Sequence, residues 1–278
     1  MPIDIVFLVL LGACLHATWN ALVKSGTDKQ LDSTMVALGA AVASLCALPF
    51  LPLPNAAAWP YIIGSVCIHF TYYQLVGAAY RLGDIGLVYP LMRGVAPLII
   101  ATTSGVVLAE TLSPMMFAGV IVISAGVLTI AADFRGGHSK AIGVALINSC
   151  VIALYTYVDG IGARLAGNPI SYTIWISILP PIPLFAFAFL MRGVSPVLKH
   201  ARTTWRRGLI GGIGSVASYG LALYAMTRAP IAAVAALRET SILFALLISV
   251  LILKERASPW RYVAGGMIAL GALTMKLG

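Results

Sequence analysis

Charge is what this sequence has least of. Only 10% of its 278 residues are Asp, Glu, Lys or Arg, against about 25% in an ordinary soluble domain. That scarcity, with 60% hydrophobic residues, excludes a water-soluble globular fold. Acidic residues are the scarcer sign, 9 against 18 basic, for a net charge of +9. The basic residues flank apolar runs, where they set topology and touch lipid headgroups, so the excess does not point to nucleic acid. Cysteine is sparse too. Cys14, Cys46, Cys67 and Cys150 all fall inside apolar runs, without a CxxC or a His/Cys ligand spacing. Redox and structural-metal readings lose their basis, and packing is the plain account of all four. No P-loop or dinucleotide motif occurs in a strand context. Work done by this protein therefore draws on a gradient or on exchange. The N-terminus lacks a basic region, with Asp4 as its one charge, and reads as a first span instead of a cleaved signal.

What the chain does have is apolar runs of membrane-spanning length. Ten can be placed, at Asp4–Val23, Leu31–Leu51, Ala58–Tyr80, Ile85–Leu108, Pro114–Ala132, Ala141–Gly160, Ile170–Met191, Gly208–Thr227, Ile231–Leu253 and Pro259–Leu277. Most connections are short, so neighbouring helices run antiparallel. One is long and basic, Arg192 to Arg207, with Lys199, His200, Arg202 and Arg206. The expected fold class is an all-α membrane protein of ten transmembrane helices.

The chain also repeats. A shift of 145 residues carries Arg93 onto Arg238, Leu98 onto Leu243, Leu108 onto Leu253 and Glu110 onto Glu255. The same shift carries Ser113-Pro114 onto Ser258-Pro259, Ile123 onto Ile268, Gly126 onto Gly271 and Leu128-Thr129 onto Leu273-Thr274. The first span matches the sixth less well: Cys14 falls on Cys150, Ala17 on Ala153, and Trp19 faces Tyr155. Two repeats are expected, residues 1–133 and 141–278. Each holds five spans, and an odd number turns the second upside down relative to the first. Inverted repeats around a midplane site are a recurrent plan of secondary transporters.

The stretch Tyr89 to Pro97, Tyr-Pro-Leu-Met-Arg-Gly-Val-Ala-Pro, stands out inside the fourth run. An arginine in a membrane costs at least about 2.5–3.5 kcal/mol. Prolines there break backbone hydrogen bonds, which is tolerated beside other helices or a wet cavity. Arg93 lies eight residues into the fourth span and Arg238 seven beyond the start of the ninth, each roughly 10–12 Å deep. Entering from opposite faces, both arrive near the midplane. Two guanidiniums facing one cavity can hold a carboxylate, phosphate or phosphonate in bidentate fashion. Glu239 follows Arg238, and adjacent helical residues face different ways. Glu239 is open to three roles: neutralising an arginine, coupling to a proton, or holding a substrate ammonium.

Other polar residues are candidates for the cavity wall. His16 and Asn20 share a face of the first span, with Trp19 beside them; the competing reading of His16 is an interhelical hydrogen bond. His69, Tyr72 and Tyr73 share a side of the third span, with Gln74 nearby. Tyr155 and Asp159 are an i, i+4 pair in the sixth, and Tyr219 lies in the eighth. Interfacial anchoring competes for each tyrosine, Tyr89 included. The expected substrate-binding set is Arg93, Arg238, Glu239, His16, Trp19, Asn20, Tyr72, Tyr73, Tyr89, Tyr155 and Tyr219. Glycines in the eighth and tenth spans suit close helix packing or dimerisation.

The sequence resembles the drug/metabolite transporter superfamily, in its EamA-like group of ten-helix carriers. The matching pieces are the Glu-x-x-Ser-Pro junctions (Glu110 to Pro114, Glu255 to Pro259), the glycines that follow (Gly119, Gly126, Gly265, Gly266, Gly271) and Trp19. The junction has a local cause as well, since serine caps a helix and proline suits its first turn; Glu110 and Glu255 are read as structural. The resemblance implies a secondary transporter in the cell (inner) membrane and leaves the substrate wide. Plastid phosphate–sugar exchangers of the same superfamily hold phosphate with basic residues on the fourth and ninth helices; here each helix offers one arginine and no neighbouring lysine. The stretch His16 to Gly26 resembles an EamA-like subgroup associated with phosphonate utilisation, which implies an aminophosphonate substrate.

Expected partners are a small-molecule substrate and the lipid bilayer, with proton or counter-substrate coupling and a homodimer both left open. No cofactor, metal or nucleic acid is expected, and no enzyme activity: an intramembrane enzyme needs a nucleophile, metal cluster or carboxylate pair in one plane, and His16, His69 and Asp159 are scattered. A scaffold has no use for buried arginines at matching repeat positions. Export of cationic drugs predicts a buried carboxylate without an arginine, and only Glu239 speaks for it. Lys24, Lys29, Arg81, Arg135, Lys140, the 192–207 segment, Lys254 and Arg256 lie on one face, which the positive-inside rule puts in the cytoplasm. Both termini then lie outside, whereas related carriers are often drawn with both inside.

Overall fold

The computed structural model describes residues 1–24, 28–133, 139–252, 254 and 257–278. All regular structure among them is helical. The helices are α1 (Ile3–Lys24), α2 (Lys29–Ala47), α3 (Trp59–Leu82), α4 (Ile85–Val107), α5 (Pro114–Thr129) and α6 (Ser139–Leu165). They continue as α7 (Pro169–Ile178), α8 (Pro181–Arg192), α9 (Val194–Met226), α10 (Ile231–Leu237), α11 (Thr240–Leu247) and α12 (Pro259–Leu277). Eight stretches are long and apolar enough to cross a membrane, with α5 a shorter apolar helix. Pairs α7/α8 and α10/α11 are each one such stretch interrupted, and α12, the tenth in chain order, packs on α5. The protein is an all-α, multi-pass membrane protein. Glu255, Arg135, Arg256 and Leu253, and the side chains of Lys24 and Lys29, lie outside the described residues.

Local chemistry explains where helices begin. Asp28 caps α2 by accepting from Leu31 N at 3.1 Å. Ser113 accepts from Met116 N at 3.1 Å, with Pro114 in the first turn of α5. Asn168 accepts from Ile170 N (2.9 Å) and Ser171 N (3.2 Å) ahead of Pro169 in α7. Each cap satisfies amides that have no partner inside the helix.

One sequence expectation needs correcting. The basic segment from Arg192 to Arg207 is no loop: from Val194 it is the first half of α9, a 33-residue helix about 50 Å long by its rise, longer than the roughly 30 Å hydrocarbon layer. Its many charges mark the part beyond the apolar layer. Asp28 and Gln30 bind Arg192, the latter at 3.1 Å, and His200 meets Asp32 at 2.9 Å, tying that extension to α2. Proline does not mark where a span is interrupted. Pro90 and Pro97 sit inside α4, which runs on through both. The interruption falls in the ninth span, which has no proline in its interior, at Arg238 and Glu239. There the backbone bonds tighten to three residues back, from Glu239 N to Ala236 O and from Ile242 N to Glu239 O, both 3.0 Å.

Packing follows small residues. Helix α9 lies on α2 and α1, α6 on α3 and α4, and α5 on α12. Exchanging each span with the one five later maps these neighbours onto themselves: α1 on α9 becomes α6 on α3, α1 on α11 becomes α6 on α4, and α5 on α12 is unchanged. A Cβ on Gly271 would lie 2.8 Å from Gly119 O and 2.9 Å from Ile123 N, so α12 needs glycine there to approach α5. Gly208 and Gly212 press the same way on Met35 and Gly39 of α2. Of the two roles expected for these glycines, they serve helix packing within the chain.

One junction sets the start of α10. Glu110 accepts from Ile231 N at 3.0 Å and pairs with Arg164 at 2.5 Å. Arg164 also donates to Met226 O (2.8 Å) and Ala229 O (3.1 Å). Three connections on one face are thereby fastened together, and Glu110 has the structural role expected of it.

Gly271→Val should destabilise the protein by about 1–3 kcal/mol through overpacking. Gly143→Ala, with open space around its site, should change stability by under about 0.5 kcal/mol. Unfolding followed by circular dichroism in detergent checks both.

Candidate functional site

The interrupted ninth span delivers two charges to the middle of the bundle in different directions. The Glu239 carboxylate crosses to α4 and takes the Arg93 guanidinium by two contacts, Nε to Oε2 at 3.0 Å and Nη2 to Oε1 at 2.8 Å. Both residues are buried, at 7% and 4% exposure. The bidentate geometry is the strong form of the pair. Arg238 turns elsewhere, with its guanidinium 4.8 Å from the centre of the Tyr219 ring. Among the described residues it has no carboxylate partner. One of the two intramembrane arginines is thus neutralised and the other is held by a ring quadrupole.

Between them lies a cavity lined by Arg93, Pro97, Tyr155, Thr156, Arg238 and Glu239, with small apolar neighbours. It is narrow, with room for about one water molecule. Tyr155 stacks on His69 at 4.5 Å and receives Tyr72 edge-on at 5.6 Å. Behind Tyr219, Asp159 is fully buried. Its Oδ2 accepts from the Tyr219 hydroxyl at 2.5 Å and its Oδ1 from the Tyr172 hydroxyl at 3.0 Å. His69 Nε2 stands 3.9 Å from the same Oδ2.

The expected residues divide into groups. Arg93, Arg238, Glu239 and Tyr155 line the cavity. Tyr219 and Tyr72 back it, and Tyr89 lies on α4 within the field of Arg93. His16 lies within electrostatic reach of both arginines and meets Trp19 edge-on at 5.2 Å. Trp19 packs on Gly214 of α9, and its buried Nε1 has no hydrogen-bond partner. Asn20 donates to the carbonyl of His16 on its own helix at 2.8 Å, and Tyr73 packs edge-on against Tyr72 at 5.2 Å; neither lines the cavity. Thr156, Pro97 and Tyr172 were not singled out as site residues. Thr156 adjoins Tyr155 and Pro97 ends the stretch that holds Arg93. Tyr172 gave no signal, because its contact with Asp159 crosses from α7 to α6 and no sequence spacing announces it. Among the described residues no group of three His, Cys, Asp or Glu is placed to hold a metal.

A small cavity at the crossing of an interrupted helix and a charged one, inside an apolar helical bundle, fits the class of membrane transporters. The family comparison places it within that class: a model described as the EamA-like transporter family matches residues 139–277, and the chain belongs to that family and with it to the drug/metabolite transporters. The match does not single out the phosphonate-associated subgroup. A solved crystal structure of a protein is similar with a TM-score of 0.78 at 17% identity, over 99% of this chain and 97% of that one. At that identity the likeness speaks for the fold alone. No curated protein matches the sequence.

Glu239→Gln leaves the Arg93 charge buried without its counter-charge and should destabilise by about 3–5 kcal/mol. Glu110→Gln acts on a pair that is 31% and 18% exposed and should cost less than half of that. Thermal unfolding of both purified variants beside the native protein measures the difference.

Proposed function

We propose that the protein is a secondary carrier of a small anionic or zwitterionic metabolite, working by alternating access. The observation that carries this reading is Arg238: it borders the midplane cavity beside Glu239, yet Glu239 is spent on Arg93. A cation kept at that depth without a carboxylate partner calls for an anion as ligand. A carboxylate, phosphate ester, phosphonate or amino acid fits a guanidinium that offers a planar fork of donors. For a zwitterion, the aromatic wall of Tyr72 and Tyr155 suits the ammonium end. Cationic drugs fit poorly, because the lining carboxylate is already engaged.

The narrowness of the cavity agrees with a closed state, in which entry requires neighbouring helices to part. We take residues 1–133 and 141–278 as the two moving repeats, with Arg93 and Arg238 at equivalent places in each. The Glu110–Arg164 junction closes one face. The opposite face, with Arg81, Lys140 and the α9 extension, is placed in the cytoplasm by the positive-inside rule. The interrupted helix beside the ligand position follows a plan common to secondary transporters.

The test is a thermal-shift screen of purified protein against phosphate, methylphosphonate, phosphate esters, amino acids and organic cations. A ligand at 100 times its Kd adds about 2.7 kcal/mol of stability. An anion or zwitterion should stabilise the native protein, and Arg238→Gln should abolish the shift. Stabilisation by cations only, or an Arg238→Gln variant that responds like the native protein, would contradict the reading.

A further inference from the structure

Asp159 raises a question that the anion site leaves unanswered. A carboxylate in the membrane interior needs a counter-charge or a proton. Its surroundings can be read element by element. Helix α3 presents His69 and Tyr72; α7 presents Tyr172; α9 presents Tyr219; and α6 itself adds Tyr155 one turn away. Arg93 on α4 is held by Glu239, and Arg238 at the α10/α11 break lies over the far side of the Tyr219 ring. Among the described residues the one basic group within 4 Å of Asp159 is His69 Nε2, at 3.9 Å.

The histidine is oriented for proton exchange. Its Nδ1 lies 2.9 Å from the Ser65 carbonyl oxygen and 3.1 Å from the Ser65 hydroxyl; in the tautomer that serves the carbonyl, which can only accept, Nδ1 carries the hydrogen. The nitrogen that gains and loses a proton is then Nε2, and it faces Asp159 Oδ2. The His69 side chain keeps 19% exposure while Asp159 has none. The imidazole is the more accessible of the two groups.

We infer that Asp159 and His69 form a proton-binding site coupled to the Arg238 anion site through Tyr219. The transfer is simple: the Nε2–H bond of the imidazolium breaks, an O–H bond forms on Oδ2, and a neutral imidazole faces a neutral acid. The structural consequence follows from hydrogen-bond capacity. Both carboxylate oxygens now accept from tyrosines, at 3.0 Å and 2.5 Å. Once Oδ2 carries a hydrogen it loses its charge and becomes a weaker acceptor, so the bond from the Tyr219 hydroxyl weakens. Tyr219 is also the ring on which Arg238 rests, so the proton and the anion act on one side chain. By linkage, each ligand changes the affinity of the other by the same factor. The ligand class of the new site is a proton, and the class of transport is proton-coupled anion movement.

The coupling half rests on the anion reading above, but the site can be tested without any substrate. Infrared difference spectra are recorded on the purified protein in lipid as the pH is stepped from basic to acidic. A carboxylic-acid C=O absorption should grow in, shift on isotope labelling of aspartate, and be lost in Asp159→Asn. In Tyr219→Phe, which keeps the carboxyl, the absorption should persist at a shifted frequency, and its pH profile should also move in Arg238→Gln. If no aspartate-labelled absorption appears, or it survives unchanged in Asp159→Asn, or Tyr219→Phe leaves its frequency untouched, the proton site is overturned. Failure here leaves the thermal-shift result with Arg238 standing, and failure there leaves this result standing, so the two readings fall separately.

Discussion

The bundle is organised around one ion pair between residues 146 positions apart in the chain, Arg93 and Glu239. Either charge alone would be hard to keep in the interior of a membrane. Together they hold α4 against the interruption between α10 and α11 by two parallel contacts. Everything else at the midplane depends on which partner Glu239 chooses. Because it takes Arg93, Arg238 has no carboxylate partner among the described residues. Its guanidinium settles instead on the ring of Tyr219, and the hydroxyl of that ring settles on Asp159. A single choice of partner thus arranges a cation, an aromatic wall and a buried acid around one narrow space.

The interruption itself is the constraint that makes this choice available. In a regular helix Arg238 and Glu239 would be rotated by about 100° from each other. The three-residue backbone bonds at Glu239 and Ile242 alter the local turn, and the two side chains depart toward opposite neighbours. Backbone freed at such a break is tolerated at membrane depth only where protein or a wet cavity surrounds it, and here Arg93 and Tyr155 adjoin it. The Glu110–Arg164 junction at the head of α10 anchors the short first segment. The caps and glycine contacts play the same part further out: they bring helices close enough for the central side chains to meet.

Much of this was legible in the sequence. Apolar runs located the helices, eight of them long and apolar enough to cross a membrane, because a bilayer imposes a length that few other structures share. Counting residues also put Arg93 and Arg238 within reach of one space, and both line the cavity. What escaped was whatever depends on rotation about a helix axis. The partner of Glu239 could not be read, since the break that aims it carries no proline or glycine to announce it, whereas Pro90 and Pro97, which do announce a break, sit in a helix that continues. Arg192 to Arg207 read as a connection because its charges masked a helical run that the ends of α2 hold in place through Arg192 and His200. Tyr172 escaped for a third reason: its hydroxyl meets Asp159 across two helices, α7 and α6, a contact that no sequence spacing announces.

The central claim is that Arg93 and Glu239 are bound to each other and leave Arg238 open. A double-mutant cycle tests it most directly. Arg93→Gln, Glu239→Gln and the double variant are purified, and the unfolding free energy of each is measured against the native protein. The account predicts a coupling energy of at least about 3 kcal/mol, with the double variant no less stable than either single one. A coupling indistinguishable from zero, with the two losses simply adding, would contradict it.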